Sequence, residues 1–230
     1  MTKPKTGKFI VIEGVDGVGK STQFELLKKY IEEEGKEVET IKFPQYQQTF
    51  GGKLVKRYLN GEFGDQNSVS TYLIAPLYAI DRFEAKKQLY DWINSGKTVI
   101  SDRYMMSNLA FRSASVEDRD VNEYLEWNCK LEYEIFGIPK EDVVVFLFAP
   151  LEFIWSKMEE KRSGREYADQ KRDVHERDFA YLKKVESRYL YLTKKYKHII
   201  KINCVKKNKL RTIEDIHQEI LKKVKSRITL

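Results

Sequence analysis

A glycine-containing run near the start of the chain has the composition and spacing of a phosphate-binding loop. Residues 14–21 read Gly-Val-Asp-Gly-Val-Gly-Lys-Ser and fit the pattern Gly-x4-Gly-Lys-Ser. Glycines let phosphate oxygens approach the backbone closely and allow the positive φ angles that turn successive N–H groups inward. Lys20 adds a cation for the β and γ phosphates, and the Ser21 hydroxyl adds a ligand for Mg²⁺. The predicted nucleotide-binding residues are Gly14, Val15, Asp16, Gly17, Val18, Gly19, Lys20, Ser21 and Thr22.

An adjacent carboxylate and guanidinium follow another apolar run. Asp102 and Arg103 come just after Val99-Ile100. Carboxylate oxygens suit Mg²⁺, and a planar guanidinium grips phosphate through two parallel hydrogen bonds. At the end of a strand beside the phosphate loop, the pair predicts a carboxylate on the magnesium side and a clamp for a phosphate.

A second Asp-Arg pair, Asp81-Arg82, follows Tyr78 in a long helical pattern. These residues alone leave two interpretations open, an exposed ion pair or part of a ligand pocket. Tyr78 and Arg82 are four residues apart, so they project from one face of a helix as an aromatic ring and a hydrogen-bonding fork.

The segment 159–173 has almost no apolar residues and is predicted to be mobile and exposed. Such a segment is often just solvated surface. Beside a kinase site, its arginines are instead expected to close over the phosphates and neutralise the charge that develops during transfer. These arginines are Arg162, Arg165 and Arg172.

Short apolar runs alternate with long helical patterns, which indicates an α/β fold with a parallel sheet. The predicted strands are Lys8 to Glu13, Glu37 to Phe43, Thr98 to Ser101, Val143 to Phe148 and Ile199 to Asn203. The predicted helices are Lys20 to Gly35, Gly51 to Leu59, Val69 to Ser95, Val121 to Phe136, Leu151 to Lys161, Phe179 to Tyr196 and Thr212 to Lys225. No repeat or linker divides residues 1–230, so one domain is expected, and ligands are expected beyond the carboxyl ends of the strands.

Composition narrows the function classes. The net charge of +7 is uneven, because residues 151–230 hold 22 Lys and Arg against 12 Asp and Glu. No helix-turn-helix or basic-aromatic pattern accompanies this charge, so no nucleic-acid partner is expected. The two cysteines do not form a disulfide framework, and no apolar run is long enough to span a membrane. We therefore expect a cytoplasmic protein without a membrane partner.

Taken together, these motifs resemble the thymidylate kinase family over essentially the whole chain. The pieces that carry the resemblance are residues 13–23, Phe43-Pro44, the run 77–82, Asp102-Arg103-Tyr104 with Ser107-Asn108, and Gly137-Ile138-Pro139. The resemblance implies a P-loop NTPase fold, with a five-stranded parallel sheet flanked by helices and a mobile lid at approximately 160–176. It implies transfer of the ATP γ-phosphate to dTMP with Mg²⁺ (metal ligands Ser21 and Asp102), and a homodimer.

The resemblance also implies roles by position. Asp16 would accept a hydrogen bond from the 3′-hydroxyl of dTMP, and Arg103 would hold the acceptor phosphate. Tyr78 would stack on thymine and Arg82 would bind its edge. The remaining residues implied to line the acceptor site are Phe43, Pro44, Gln45, Ser107, Asn108 and Phe111, the last standing where a tyrosine is common.

The sequence departs from the family pattern at two positions that concern the catalytic cations. Residue 17 is glycine, so the loop lacks the basic residue found there in some members, and the chain resembles the members with arginines in the lid. Gln45 stands where an arginine directed at the acceptor phosphate is common. The acceptor phosphate is therefore held by Arg103 nearly alone, or another cation reaches it; the candidates are Lys42, Lys53 and Arg112.

Two other functions fit parts of the sequence. Another nucleotide or deoxynucleoside kinase would use the same loop, Asp-Arg element and lid. A P-loop ATPase stimulated by a polymer or partner would use the loop and the positive charge, but it leaves Tyr78 and Arg82 unexplained.

Overall fold

Five short strands, four of them mostly buried, form the parallel sheet on which the molecule is built. The computed structural model describes residues 7–64, 69–155 and 179–229. The strands of the sheet are β1 (Phe9–Glu13), β2 (Val38–Lys42), β3 (Thr98–Asp102), β4 (Val143–Phe148) and β5 (Ile199–Asn203). They lie in the order β2-β3-β1-β4-β5. The α/β fold and all five predicted strands are confirmed, each within one residue at either end.

The strand order brings the predicted site residues together. β1 pairs with β3 on one side and with β4 on the other, and Ile12 lies in register with Asp102. Lys42, the last residue of β2, is in register with the same aspartate. The carboxyl ends of all these parallel strands therefore meet at one edge, which is where ligands bind in open α/β sheets.

Helices cover both faces of the sheet. They are α1 (Lys20–Glu33), α2 (Phe50–Leu59), α3 (Thr71–Glu84), α4 (Lys86–Asn94), α5 (Met105–Ser113), α6 (Val121–Cys129), α7 (Phe179–Lys195) and α8 (Ile213–Lys225). A π-helical stretch, Lys130–Ile135, continues α6, and residues 151–155 are helical. One apolar cluster packs α3 to α7 against the sheet, and a second packs α1 and α8 against the other face.

Two helical predictions need correction, and one helix was missed. The single helix predicted from Val69 to Ser95 is two helices, α3 and α4, that join at Ala85. The helix predicted to end at Phe136 changes to π geometry after Cys129. Helix α5 was not predicted, because seven of its nine residues are buried and it has no exposed polar face to mark its period.

A small hairpin, which was also not predicted, follows β5. Its strands are β6 (Val205–Lys206) and β7 (Lys209–Leu210), and they pair antiparallel. The two connecting residues, Lys207 and Asn208, have φ angles of 50° and 57°, as a tight two-residue hairpin turn requires. Strands of two residues are too short to give an alternating pattern in the sequence.

The predicted lid, approximately 160–176, lies outside the described residues, and so do its three arginines. Within the parts of the chain that the structure describes, no helix combines the length and apolar character needed to cross a membrane.

Candidate active site

The glycine-containing loop joins β1 to α1 with the backbone geometry that its sequence predicts. Gly14 has a φ of 145°, and a Cβ atom at this position would lie 2.7 Å from the carbonyl oxygen of Leu147 on β4. Gly19, which precedes α1, has a φ of 100°. Both positions therefore require glycine, and the loop delivers the positive N-terminal end of α1 to the edge of the sheet.

Lys20 points back into the loop that precedes it. Its Nζ atom donates to the carbonyl of Val15 at 3.1 Å and to Oδ1 of Asp16 at 2.9 Å. Burial lowers the pKa of Lys20, and the positive charge of Arg103 lowers it further, while Asp16 acts in the opposite direction. The Asp16 carboxylate is thus bound by the Lys20 ammonium and lies close to a second cation, and an anion at this place would be attracted by both positive charges.

Arg103, the residue after β3, completes a charged centre that consists of Asp16, Lys20 and Arg103. Its Nη2 atom donates to Oδ1 of Asp16 at 2.6 Å, and its Nη1 atom donates to the Ser107 hydroxyl at 3.2 Å. The backbone of Arg103 has a φ of 67°, a left-handed conformation that is uncommon for arginine and often marks a functional position. The structure therefore brings Asp16, Lys20 and Arg103 together, as the sequence predicts.

Asp102 lies beside this centre. Its Oδ2 atom forms an ion pair with Nζ of Lys42 at 3.2 Å. Its Oδ1 atom is buried and has no hydrogen-bond partner among the described residues. A buried carboxylate oxygen without a donor is costly unless a ligand satisfies it, so this atom is suited to bind a cation.

Glu13 ties the phosphate loop to the start of α5, a role that sequence reasoning missed. Its carboxylate is fully buried and accepts hydrogen bonds from the N–H groups of Tyr104 and Ser107 at 2.9 and 3.0 Å. It also accepts from the hydroxyls of Ser107 and Tyr189. The signal was available in the sequence, because a glutamate that ends an apolar central strand must find donors.

A largely apolar pocket opens from the charged centre. Seven predicted acceptor-site residues line it in addition to Asp16 and Arg103. They are Phe43, Pro44, Tyr78, Arg82, Ser107, Asn108 and Phe111. A mostly apolar lining with a few polar side chains is typical of a site for a small organic ligand, and one end of the pocket carries the cations that a phosphate requires.

Arg82 and Asp81 are both buried, so the exposed ion pair considered for them is wrong. The Nε and Nη2 atoms of Arg82 donate to the two carboxylate oxygens of Glu132 at 2.5 and 2.7 Å. Burial is the largest single effect and lowers the pKa of Arg82, but the charge of Glu132 and its hydrogen bonds, together with the smaller effects of Tyr104 and Asp81, raise the net pKa. Asn108 also donates to Glu132, at 2.9 Å.

Comparison with known proteins identifies the family. The model of the thymidylate kinase family matches residues 12–220. The chain belongs to this family. A thymidylate kinase of Mycobacterium tuberculosis is 35% identical over 171 residues, which are 74% of this chain and 78% of that protein. A probable thymidylate kinase of Thermococcus gammatolerans is 34% identical over 96% of this chain and 98% of its own length.

A solved structure supports the same assignment. The thymidylate kinase of Candida albicans matches with a TM-score of 0.71 and 26% identity, over 96% of this chain and 92% of that chain. The P-loop NTPase fold expected from the resemblance is thereby confirmed.

Gln45 differs from the other predicted acceptor-site residues of this thymidylate kinase family member, because it does not line the pocket. Its backbone N–H donates to Oδ2 of Asp81 at 3.0 Å. Gln45 lines a separate groove with Lys42 and Trp92, and its Nε2 atom is buried and has no hydrogen-bond partner among the described residues. Tyr46, the next residue, reaches the pocket instead.

The three cations considered as substitutes for an arginine at position 45 are also separated by the structure. Lys42 and Lys53 line other grooves, whereas Arg112 lines the pocket and is buried. Sequence reasoning could name Arg112 but could not place it, because helix α5 was not recognised.

Proposed function

We propose that this protein is an ATP-dependent dTMP kinase, which transfers the γ-phosphoryl group of ATP to dTMP to give dTDP. The observation that carries the proposal is the continuity of one pocket from Asp16 and Arg103 at the phosphate loop to Tyr78 and Arg82. A donor nucleotide on the loop and an acceptor in this pocket would have their phosphates side by side. Membership of the thymidylate kinase family supports the same phosphotransferase reaction.

The acceptor is expected to bind with its base deep in the pocket and its phosphate at the charged centre. Tyr78 would stack on thymine, and Arg82, fixed by Glu132, would donate to a carbonyl oxygen of the base. Arg103 would hold the acceptor phosphate. A phosphate there competes with Asp16 for the guanidinium, and Asp16 is then available to accept from the 3′-hydroxyl of the sugar.

Transfer itself needs positioning and charge stabilisation by groups of this chain, without a covalent intermediate. The loop amides and the N-terminal end of α1 hold the donor phosphates. Lys20 and Arg103, which both contact Asp16, stabilise the negative charge that develops between donor and acceptor. Arg162, Arg165 and Arg172 are proposed to add charge from the lid.

The site fits a magnesium ion. The described residues contain no cluster of three or more acidic, histidine or cysteine ligands, so a metal here would share its coordination with nucleotide phosphates, as is usual for Mg²⁺. The unpartnered Oδ1 atom of Asp102 supplies a carboxylate oxygen, and Ser21 supplies a hydroxyl. When bound, the ion would neutralise charge on the phosphates.

We also propose a homodimer built from single-domain subunits and located in the cytoplasm. Apolar side chains are exposed on α3 and at the π-helical stretch, where Leu73 is 68% and Ile135 is 66% exposed. Apolar exposure of this kind is typical of a surface that another chain covers. Analytical ultracentrifugation of the parent protein and of Leu73→Glu tests the assembly, since the variant is expected to sediment as a monomer.

A coupled assay of ADP release with dTMP, dUMP, dCMP, dGMP and thymidine tests the reaction. We expect dTMP to be the preferred acceptor and thymidine to be inactive, because a nucleoside brings no phosphate to Arg103. Turnover of thymidine would instead indicate a nucleoside kinase. ATP hydrolysis that needs no acceptor and rises with added nucleic acid would indicate a P-loop ATPase and would refute the proposal.

A further inference from the structure

A second arginine lies in the acceptor pocket, and neither the proposed mechanism nor the family motifs use it. Arg112 is on α5, one helical turn beyond Asn108, and the two side chains lie on the same face of that helix. It lines the pocket although it is only 4% exposed. A charged side chain that is buried at a ligand pocket is expected to have a role there, because its desolvation must be offset.

Aromatic residues surround the Arg112 guanidinium. Its Nη1 atom donates to the hydroxyl of Tyr58 at 3.1 Å, and its Nη2 atom donates to the hydroxyl of Tyr181 at 3.4 Å. Its Cζ atom lies 5.4 Å from the centre of the Tyr78 ring. The group is therefore oriented by α2, α3 and α7, and it sits beside the ring on which the base is expected to stack.

The contacts of Arg112 given above differ from those of Arg103, the cation at the phosphate end of the pocket. Arg103 contacts Asp16 and Ser107 and lies 5.6 Å from the centre of the Phe111 ring. The contacts of Arg112 named above are instead with the elements that carry the base-stacking ring. A guanidinium has five donors in one plane and can bind phenols and a ligand together.

We infer that Arg112 is a specificity-determining residue that donates a hydrogen bond to a carbonyl oxygen of the acceptor's pyrimidine base. Thymine offers two such oxygens, and Arg82 is held in place by Glu132 to address one of them. Arg112, on the neighbouring helix, addresses the other. This inference rests on the proposed function, because it assumes that the pocket binds dTMP.

Calorimetric titration with three ligands tests which part of the acceptor Arg112 contacts. The ligands are dTMP, thymidine, which lacks the phosphate, and 2-deoxyribose 5-phosphate, which lacks the base. Arg112→Met is expected to raise the Kd for dTMP and the Kd for thymidine by a similar factor. This factor is about 10-fold to 100-fold, as for loss of a charged hydrogen bond. Binding of the sugar phosphate is expected to change less than about 2-fold. In kinetics, KM for dTMP should rise while kcat changes little, because the contact is present in both ground and transition states.

Arg57→Met is the matched control. Arg57 precedes Tyr58 on α2, but its side chain is 55% exposed and pairs with Glu62, so its removal should leave all three affinities unchanged. Two further variants keep the test decisive if Arg112→Met does not fold. Arg112→Lys keeps the positive charge but loses the planar guanidinium with its several N–H donors. Tyr58→Phe keeps the arginine but removes one hydroxyl that orients it. Both variants are expected to bind thymidine several-fold more weakly than the parent protein does.

Unchanged thymidine binding in the Arg112 variants would overturn the inference. A loss confined to dTMP and the sugar phosphate would overturn it too, because Arg112 would then be a cation for the acceptor phosphate. Failure of the parent protein to bind or phosphorylate dTMP would instead refute the proposed function, so the two failures are distinguishable.

Discussion

The ion pair beneath the acceptor pocket allows a quantitative prediction. Glu132 is fully buried, and Arg82 is 2% exposed. The change Glu132→Gln keeps the shape of the side chain but removes the charge opposite Arg82, and it places an NH₂ group against one of the arginine donors. Loss of one partner of a buried pair typically destabilises a protein by about 3–5 kcal/mol. For a chain of 230 residues, this corresponds to a fall in Tm of roughly 6–20 °C.

Chemical denaturation of the four proteins of a double-mutant cycle measures the interaction energy between Arg82 and Glu132. The four proteins are the parent, Glu132→Gln, Arg82→Gln and the double variant. Each single change leaves an unpaired buried charge, whereas the double change leaves none, so the double variant should be more stable than the sum of the single effects predicts. We expect a coupling energy of about 2–3 kcal/mol, near the upper end of values measured for contacting residues.

The surface pair Arg57–Glu62 is the matched control. Its Nε–Oε2 distance of 2.7 Å resembles that of the buried pair, but its side chains are 55% and 43% exposed. Glu62→Gln should therefore change the free energy of unfolding far less than Glu132→Gln does, because solvent screens an exposed pair. If Glu132→Gln is no more destabilising than Glu62→Gln, or if the cycle is additive, the reasoning from burial is refuted.

Three further predictions concern the charged centre, the residue after Phe43-Pro44 and a buried acid. Lys20→Ala and Asp102→Asn should each lower kcat by orders of magnitude while circular dichroism shows an unchanged fold; near-normal turnover would remove that residue from the mechanism. Gln45→Arg should change the Kd for dTMP by less than about 2-fold because its side chain lies outside the pocket, and a gain of about 10-fold for dTMP but not thymidine would contradict this placement. Burial raises the pKa of Glu141 to about 7 from the usual 4.5, so the free energy of unfolding should fall as pH rises through this interval. In urea denaturation at pH 5 and pH 8, Glu141→Gln should reduce that fall, and an unchanged pH dependence would show that Glu141 is not the group responsible.

Local signals explain what the sequence could predict. The phosphate loop was recognisable because its glycines are required by backbone geometry at fixed spacing, as the φ of Gly14 and its approach to β4 show. The strands were recognisable because buried parallel strands are continuous apolar runs. Because parallel strands end at one edge of the sheet, Asp102 and Arg103 could be placed beside the loop before their contacts were known.

The parts that could not be predicted depend on contacts between distant segments. Glu132 lies in a helical pattern like many exposed glutamates, and its partner Arg82 is 50 residues away in the chain. Gln45 follows Phe43-Pro44, which suggests a place at the acceptor, but it lines a different groove, and its backbone N–H is bound to Asp81. Sequence spacing fixes where a backbone passes, but long-range packing decides where the side chain points.

Asp81 and Arg82 show why adjacent opposite charges need not pair with each other. Successive residues of a helix point about 100° apart, so the two side chains of α3 leave the helix in different directions. Asp81 accepts hydrogen bonds from the Gln45 backbone and the Thr49 hydroxyl, which belong to the segment between β2 and α2. Arg82 pairs with Glu132 on the opposite side. Helix α3 is thus fastened on two sides by buried charged groups, and these hold in place the helix from which Tyr78 lines the pocket.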